Sequence, residues 1–545
     1  MPRLLAALLL TLSLPAFAAT TRPSTVVNGL VDQIAAVIEP DASAKPRTFL
    51  ATVRVTKIEG VGKEIEKILL AATAEIAIQA PDKAGLVVRH NGQTYAACRD
   101  GQELWAHVPD KKFGVVGKPG VPRFAADPKS LDTTVLPPFQ LPIGVTQAKL
   151  SLLLASMEYV GEEKLGGETC DVVSVTPPEK IASLLSLPRS KVELAVRRAD
   201  RLPARVRYDD GTIKAELLIE NPRRVDAWPA ENWKVHPNPG DTVETTAVGH
   251  LVKFLETARK IVEQKIPTLP PATGARRVHA YSGTGRLEIH DSTRVLFLAG
   301  SPEEMGRQQG ELLPAECRDL TEKVLYGVGV GSSFAKGKWF FGEIESAVAR
   351  LSPFISDRTF REVDAMATAV GVHKQEARLA NFFPELFHCT GFALVGDATA
   401  GGAMYHGRVL DYLKGVGLEQ NAVVTVYKPD VGHAWVNCGY AGFVGTVTAM
   451  NEKHISVGEM GGRGEGKWDG KPMAQLLREV MENAATLDQA VEIMRKGPRT
   501  CEYYYVIADG NAKQAVGIAS TPDTFEVVKL GEAHARLPHA IKDAV

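Results

Sequence analysis

Pro384-Glu385-Leu386-Phe387-His388-Cys389-Thr390-Gly391-Phe392-Ala393-Leu394, then Gly401-Gly402-Ala403-Met404-Tyr405-His406-Gly407-Arg408-Val409-Leu410-Asp411-Tyr412, is the stretch on which the reading of this chain turns. Apolar residues alternate after Cys389, at Phe392 and Leu394, as in a half-buried strand. Asp397 to Gly402 supplies a Gly-rich turn, and a second strand follows that ends in Arg-x-x-Asp. Two adjacent antiparallel strands bring Cys389 close to Arg408 and Asp411. A working thiolate has that requirement: a cation to lower its pKa, and a carboxylate to hold the cation or an ammonium in place.

Working outward, the chain has 545 residues, 45% of them hydrophobic and 23% charged, which fits two or three ordinary globular domains. A net charge of −1 gives no field for nucleic acid or an anionic membrane. Arg3, the apolar run Leu4 to Leu14, and Ala16-Phe17-Ala18 read as an export leader over residues 1–18, cleaved after Ala18. The run falls far short of the ~20 residues of a membrane span. The mature protein is therefore expected to be periplasmic or secreted. Six cysteines are too few for a disulfide scaffold. Cys98 and Cys170 either pair in an oxidising compartment or stand as two buried thiols, and Cys317, Cys438 and Cys501 read as core residues. No Cys-x-x-Cys, His-x-x-x-His or nucleotide-binding Gly fingerprint calls for a metal or cofactor, so none is expected.

Residues 19–45 read as a linker and a short helix from Val26 to Ile38. From 46 to 265 strands dominate, among them 74–78, 85–89, 103–108, 170–175 and 214–219. Turns fall at His90-Asn91-Gly92-Gln93 and Asp209-Asp210-Gly211-Thr212. Helices are expected at 145–157, 179–186 and 246–265. Ile266-Pro267-Thr268-Leu269-Pro270-Pro271 opens a linker over 266–289, the best domain boundary. Beyond it come a strand at 294–298 and helices at 302–325, 341–371 and 377–386. After Cys389, strands are expected at 390–395, 403–410, 421–427, 433–438, 444–449 and 454–458. Helices at 471–483 and 486–496 precede strands at 503–508, 514–519 and 524–528. Gly306 and Gly310, four apart on a helix, are small residues for close packing.

Four motifs carry a resemblance, in order: Val295 to Gly310 with its Gly-Ser-Pro and Gly-x-x-x-Gly; Ala380-Asn381 through Glu385-Leu386; Cys389-Thr390 with His406-Gly407-Arg408-x-x-Asp411; and Met450-Asn451-Glu452-Lys453. Together they resemble the acyl-coenzyme A:isopenicillin N acyltransferase family of N-terminal-nucleophile (Ntn) hydrolases, over residues 290–545. Pro81-Asp82-Lys83, Gly101 to Trp105 and Gly161 to Gly167 weakly resemble lipoprotein-carrier-like domains. The implied fold class is α+β, a C-terminal αββα sandwich preceded by an antiparallel β half-barrel. Residues 290–388 would be a helical pro-segment and 389–545 the nucleophile-bearing sheets.

The resemblance implies self-cleavage between His388 and Cys389, freeing an α-amine to act as general base for the Cys389 thiol. It places Arg408 near the thiol and Asp411 near the amine. Val409 stands where the family often has Asn. Asn451 reads as a turn residue. The region after strand 524–528, where an Asn is expected, reads Leu537-Pro538-His539-Ala540 instead. The loop Gly458 to Gly466 either lies over the site or is a flexible surface loop. The leading expectation is an exported hydrolase or acyltransferase acting on a small-molecule N-acyl amide, without nucleic acid. The other is a non-catalytic periplasmic lipid- or lipoprotein-binding protein with an inactive hydrolase-like domain. In either case the N-terminal half-barrel offers a place for a lipid or acyl chain.

Overall fold

A computed structural model describes residues 22–40, 47–61, 63–140, 155–176, 190–226, 228–263, 273–382, 388–411, 414–462, 467–535 and 538–545. The leader, the helix expected at 179–186, most of that expected at 145–157, and the Pro-rich stretch 266–271 lie outside them. The chain forms two compact units that divide at Val252–Lys253, with Phe124–Pro128 in the second and Phe334–Lys338 in the first.

The first unit is built on β1 (Arg47–Glu59), β2 (Thr73–Gln79), β3 (Lys83–His90), β4 (Gln93–Asp100), β5 (Glu103–Val108) and β6 (Phe113–Lys118). A short pair, β7 (Pro122–Phe124) and β8 (Asp127–Leu131), stands apart. Then follow β9 (Ser156–Leu165), β10 (Glu168–Thr176), β11 (Lys191–Arg197), β12 (Pro203–Asp209), β13 (Lys214–Asp226) and β14 (Thr242–Ala247). They make one twelve-stranded sheet in the order β14-β6-β5-β4-β3-β2-β1-β13-β12-β11-β10-β9, open at both edges. Residues 156–157, expected to end a helix, instead start β9, whose burial alternates residue by residue. At the β3–β4 turn Asn91 and Gly92 have φ of 49° and 75°, the double positive φ that an Asn-Gly hairpin requires. Helix α1 (Arg22–Ile38) lays Val26, Val27, Leu30 and Val31 on Val173, Leu194 and Val206. Cys98 on β4 and Cys170 on β10 are both free thiols. Seven strand positions separate them in the sheet, about 34 Å of spacing, which settles their open pairing.

The second unit holds β15 (Arg276–Ser282), β16 (Gly285–His290), β17 (Thr293–Gly300), β18 (His388–Gly396), β19 (Gly402–Asp411), β20 (Ala422–Pro429), β21 (Trp435–Tyr440) and β22 (Thr448–Asn451). β23 (Ile455–Gly461), β24 (Tyr503–Asp509), β25 (Gln514–Ser520) and β26 (Phe525–Lys529) complete it. Ten of these form a sheet in the order β15-β16-β17-β20-β21-β22-β23-β24-β25-β26, and β18–β19 form a separate hairpin. Residues 276–289 of the linker expected over 266–289 are therefore corrected to a strand pair that ends at His290. Its signal was the turn Ser282-Gly283-Thr284-Gly285, with Gly283 at φ 54°. The helix expected at 302–325 breaks into Pro302–Leu312 and Pro314–Glu322, because Pro314 has no N–H for a continuous ladder. The strand expected at 444–449 runs Thr448–Asn451, and the helix expected at 377–386 runs Lys374–Phe382.

The two faces of the large sheet differ. Leu298, Tyr427, Trp435 and Asn451 are cross-strand neighbours on one face. Helix Met473–Asn483 covers them: Arg478 lies 5.3 Å from the Tyr427 ring centre and 5.6 Å from that of Trp435. Arg478 also donates to buried Glu362 at 2.7 Å, and Asn451 donates to the carbonyls of Met481 and Ala484. On the other face Ala393 of the hairpin packs with Val506, Ala508 and Ala515. Helices, large sheet and hairpin are thus three successive layers of the α+β unit among the described residues.

Gly306 and Gly310 are the contact points of the helix Pro302–Leu312 with the helix Asp357–Val370. A Cβ at Gly306 would sit 2.1 Å from the Glu362 carbonyl oxygen, and one at Gly310 2.7 Å from Ala369 Cβ. Gly306→Ala should therefore cost about 1–3 kcal/mol of stability by overpacking. Gly342→Ala, on an exposed helix position with nothing within 4 Å, should leave stability unchanged or raise it. Denaturant melts of the two variants check this; equal stability would remove the close-packing role.

Candidate active site

Antiparallel register places Cys389 opposite Leu410, and Gly391 opposite Arg408. Cys389 and Arg408 are therefore diagonal neighbours on the hairpin face turned toward the large sheet. Gly391 carries no side chain there; a Cβ would lie 2.5 Å from Met460 Sδ. Across the gap, a Cβ on Gly458 of β23 would meet His406 Nε2 at 2.9 Å and Arg408 Cγ at 3.2 Å. Two glycines, one on each layer, let the layers close: Gly391 leaves room for Met460, and Gly458 for His406 and the Arg408 stem.

Arg408 spends its donors on four acceptors. Nη2 donates to Cys389 Sγ at 3.1 Å and to Glu459 Oε2 at 3.0 Å. Nε donates to the Glu459 carbonyl at 2.9 Å, and Nη1 to Thr448 Oγ1 at 3.1 Å. The side chains of Arg408 and Glu459 are 3% and 0% exposed. Burial pushes the Glu459 carboxyl up to about 7, against the pull of the Arg408 charge. Glu459 Oε1 is buried without a hydrogen-bond partner, an environment that favours the neutral acid. Two residues before Arg408, His406 shares a 2.7 Å hydrogen bond between Nδ1 and Ser456 Oγ, and burial pushes its imidazole down to about 4.

Of the residues singled out in the sequence, Cys389 and Arg408 are in contact. Asp411 ends β19 and pairs along the backbone with His388; both side chains lie outside the described residues. Val409 is 54% exposed on the hairpin's outer face. Asn451 accepts from the N–H groups of Lys453 and Ile455, and holds a turn rather than facing the thiol. Gly458 to Gly461, expected in a loop, belong to β23, so a strand residue of that run, Glu459, shares Arg408 with Cys389. Cys317 and Cys501 are buried, but Cys438 is exposed, a correction to its reading as core. Sequence reasoning missed Glu459, Thr448 and Ser456. Among the described residues no group of His, Cys, Asp and Glu is arranged to hold a metal.

Residues 401–539 match the family model described as acyl-coenzyme A:6-aminopenicillanic acid acyl-transferase. The C-terminal part of the chain is acyltransferase-like. It is 24% identical over 196 residues to the N-acylethanolamine-hydrolyzing acid amidase of Oryctolagus cuniculus, covering 34% of this chain and 54% of that one. The chain spans about half the length of the curated relatives it matches. Among solved structures, a Caenorhabditis elegans ortholog of the same amidase matches at 21% identity and a TM-score of 0.21, over 26% of this chain and 63% of that one. The Mycobacterium tuberculosis lipoprotein LppX matches at 16% identity and a TM-score of 0.24, over 40% of this chain and all of that one.

Glu459 makes stability fall with rising pH. Its folded value of about 7 lies above the ordinary 4.5, so between these values the folded state holds a proton that the unfolded state has released. The stabilisation is complete below about pH 4.5 and is lost as pH rises through 7, a change of about 3 kcal/mol. Denaturant melts at pH 4.5 and 8 should show this loss in the wild type and a smaller one in Glu459→Gln. Identical pH slopes would contradict the assignment.

Proposed function

We propose that this chain is an exported, self-processing cysteine-nucleophile hydrolase or acyltransferase acting on N-acyl amide bonds. The observation that carries the reading is the buried Arg408 guanidinium bonded at once to Cys389 Sγ and Glu459. The acyltransferase family match and the acid amidase similarity support the reaction class. Export rests on the leader-like residues 1–18 alone.

In maturation, Cys389 Sγ attacks the His388 carbonyl carbon. The His388–Cys389 amide becomes a thioester as its nitrogen takes a proton and becomes the Cys389 α-amine. Water then cleaves the thioester, leaving a carboxylate on His388 and restoring the thiol. In turnover the α-amine, with an ordinary pKa near ~8, accepts the thiol proton. The thiolate adds to the substrate carbonyl, and the amine product leaves with that proton. Water, or an acceptor amine, then takes the acyl group from sulfur. Arg408 stabilises the thiolate, and Asp411 is assigned to hold the α-amine.

In the first unit, Ala51, Ile76, Leu86, Ala97 and Ala106 form an apolar cross-strand row, with Leu86 39% exposed. That row supports the half-barrel as a seat for a lipid or acyl chain. It also favours the second reading, a lipid-binding protein whose hydrolase-like unit is silent.

Intact mass of the mature protein, beside Cys389→Ala, decides between the readings. The hydrolase reading predicts two chains split between His388 and Cys389 in the wild type and one chain in the variant. A wild type that stays whole, with lipid co-purifying, would overturn it in favour of the binding protein.

A further inference from the structure

The hairpin β18–β19 packs on β23, β24 and β25 and leaves the same face of β17, β20, β21 and β22 without a covering strand among the described residues. The solvent face of a one-sided sheet ordinarily carries polar residues. Here it does not. Val295, Val424 and Cys438 are direct cross-strand partners, and the register carries the row on to Thr448, which accepts from Arg408. A second row alongside runs Phe297, Val426, Val436 and Met450, and meets Ser456 beside His406. Along β20 the alternation is sharp: Val423, Thr425 and Tyr427 are buried on the helical side, while Val424 and Val426 stay half-buried. Met450 is 48% exposed, and Cys438 is exposed as well.

This apolar floor is continuous with the candidate site. A cleft of about 480 Å³ meets it along Val436, Cys438, Thr448 and Met450, and one of about 1470 Å³ meets it at Val424, Cys438 and Thr448, its outer wall carrying charged side chains such as Arg294 and Glu316; Arg408 lines both. At the far end the Arg286 guanidinium lies 3.6 Å from the centre of the Phe297 ring and closes the row. From Thr448 to Val295 the floor crosses three strand spacings, about 14 Å, the reach of a medium-length hydrocarbon chain.

We infer that this floor is the acyl trough of the reaction proposed above, that it takes linear hydrocarbon acyl groups, and that Cys438 determines which chains reach Cys389. The inference rests on Cys389 being the nucleophile. Cys438 is the small residue of the first row, one strand from Thr448, and Thr448 shares Arg408 with the Cys389 thiol. Apolar contact there adds about fourfold in binding for each buried methylene.

The test uses the full chain and a series of n-alkyl methanethiosulfonates from methyl to dodecyl. Each reagent gives a mixed disulfide at Cys389 and releases methanesulfinate, and labelling rates are read at peptide level. In Cys438→Ser the rate at Cys389 should climb at least tenfold from butyl to octyl. In Cys438→Trp it should be flat with chain length. Met450→Trp gives a second reading of the same floor if the first bulky variant fails to fold. A flat profile in Cys438→Ser, or a steep one that survives both bulky variants, overturns the trough. Cleavage of N-acyl amides is scored separately. Chain-length-dependent labelling without cleavage would keep the trough and remove the hydrolase reading. Cleavage of short and long acyl amides at equal kcat/KM would do the reverse.

Discussion

A guanidinium buried between two β layers must find acceptors for its donors, and Arg408 finds them on three different strands. The thiol of β18, the hydroxyl of Thr448 on β22, and both the carbonyl and carboxyl of Glu459 on β23 converge on it. An arginine this dry is costly unless paired, so its partners are as constrained as the residue itself. The hairpin can approach the sheet this closely only because Gly391 and Gly458 present bare backbone where side chains would collide.

The same arrangement explains why the carboxyl beside Arg408 is not a plain counter-ion. Glu459 is fully buried, one of its oxygens lacks a hydrogen-bond partner, and its proton is held to about pH 7. Protonated, it leaves more of the Arg408 charge to the sulfur; ionised, it competes with the thiolate for the same Nη2. On the helical face Arg478, Glu362 and Asn451 tie the helices to β20, β21 and β22, the strands beside those on which the hairpin packs.

The hairpin was legible in the sequence because its signals are local: alternation after Cys389, a Gly-rich turn, and an arginine within reach by register. The strands after 420 were legible for the same reason. Glu459 was not, because it lies 70 positions beyond Cys389 and reaches it only through packing of one layer on another. Gly458 and Gly461, which read as part of a loop, are strand residues, and Gly458 lets β19 come close. Cys438 read as core because Trp435, Val436 and Tyr440 around it are aromatic or apolar; the hairpin packs on β23 to β25 and leaves it exposed. The hairpin at 276–290 was hidden by the Pro-rich stretch before it, although its Gly-x-Gly turn was in plain view.

The role proposed for Arg408, from its 3.1 Å hydrogen bond to Cys389 Sγ, is to hold that sulfur as a thiolate near neutral pH. Its most direct test is the pH dependence of iodoacetamide alkylation at Cys389, followed by peptide mass spectrometry in wild type and Arg408→Gln. The expected wild-type midpoint lies at least about one unit below the ordinary thiol value of 8.5, and that of the variant at or above it. Superimposable profiles, with both proteins folded by the same melting transition, would contradict it.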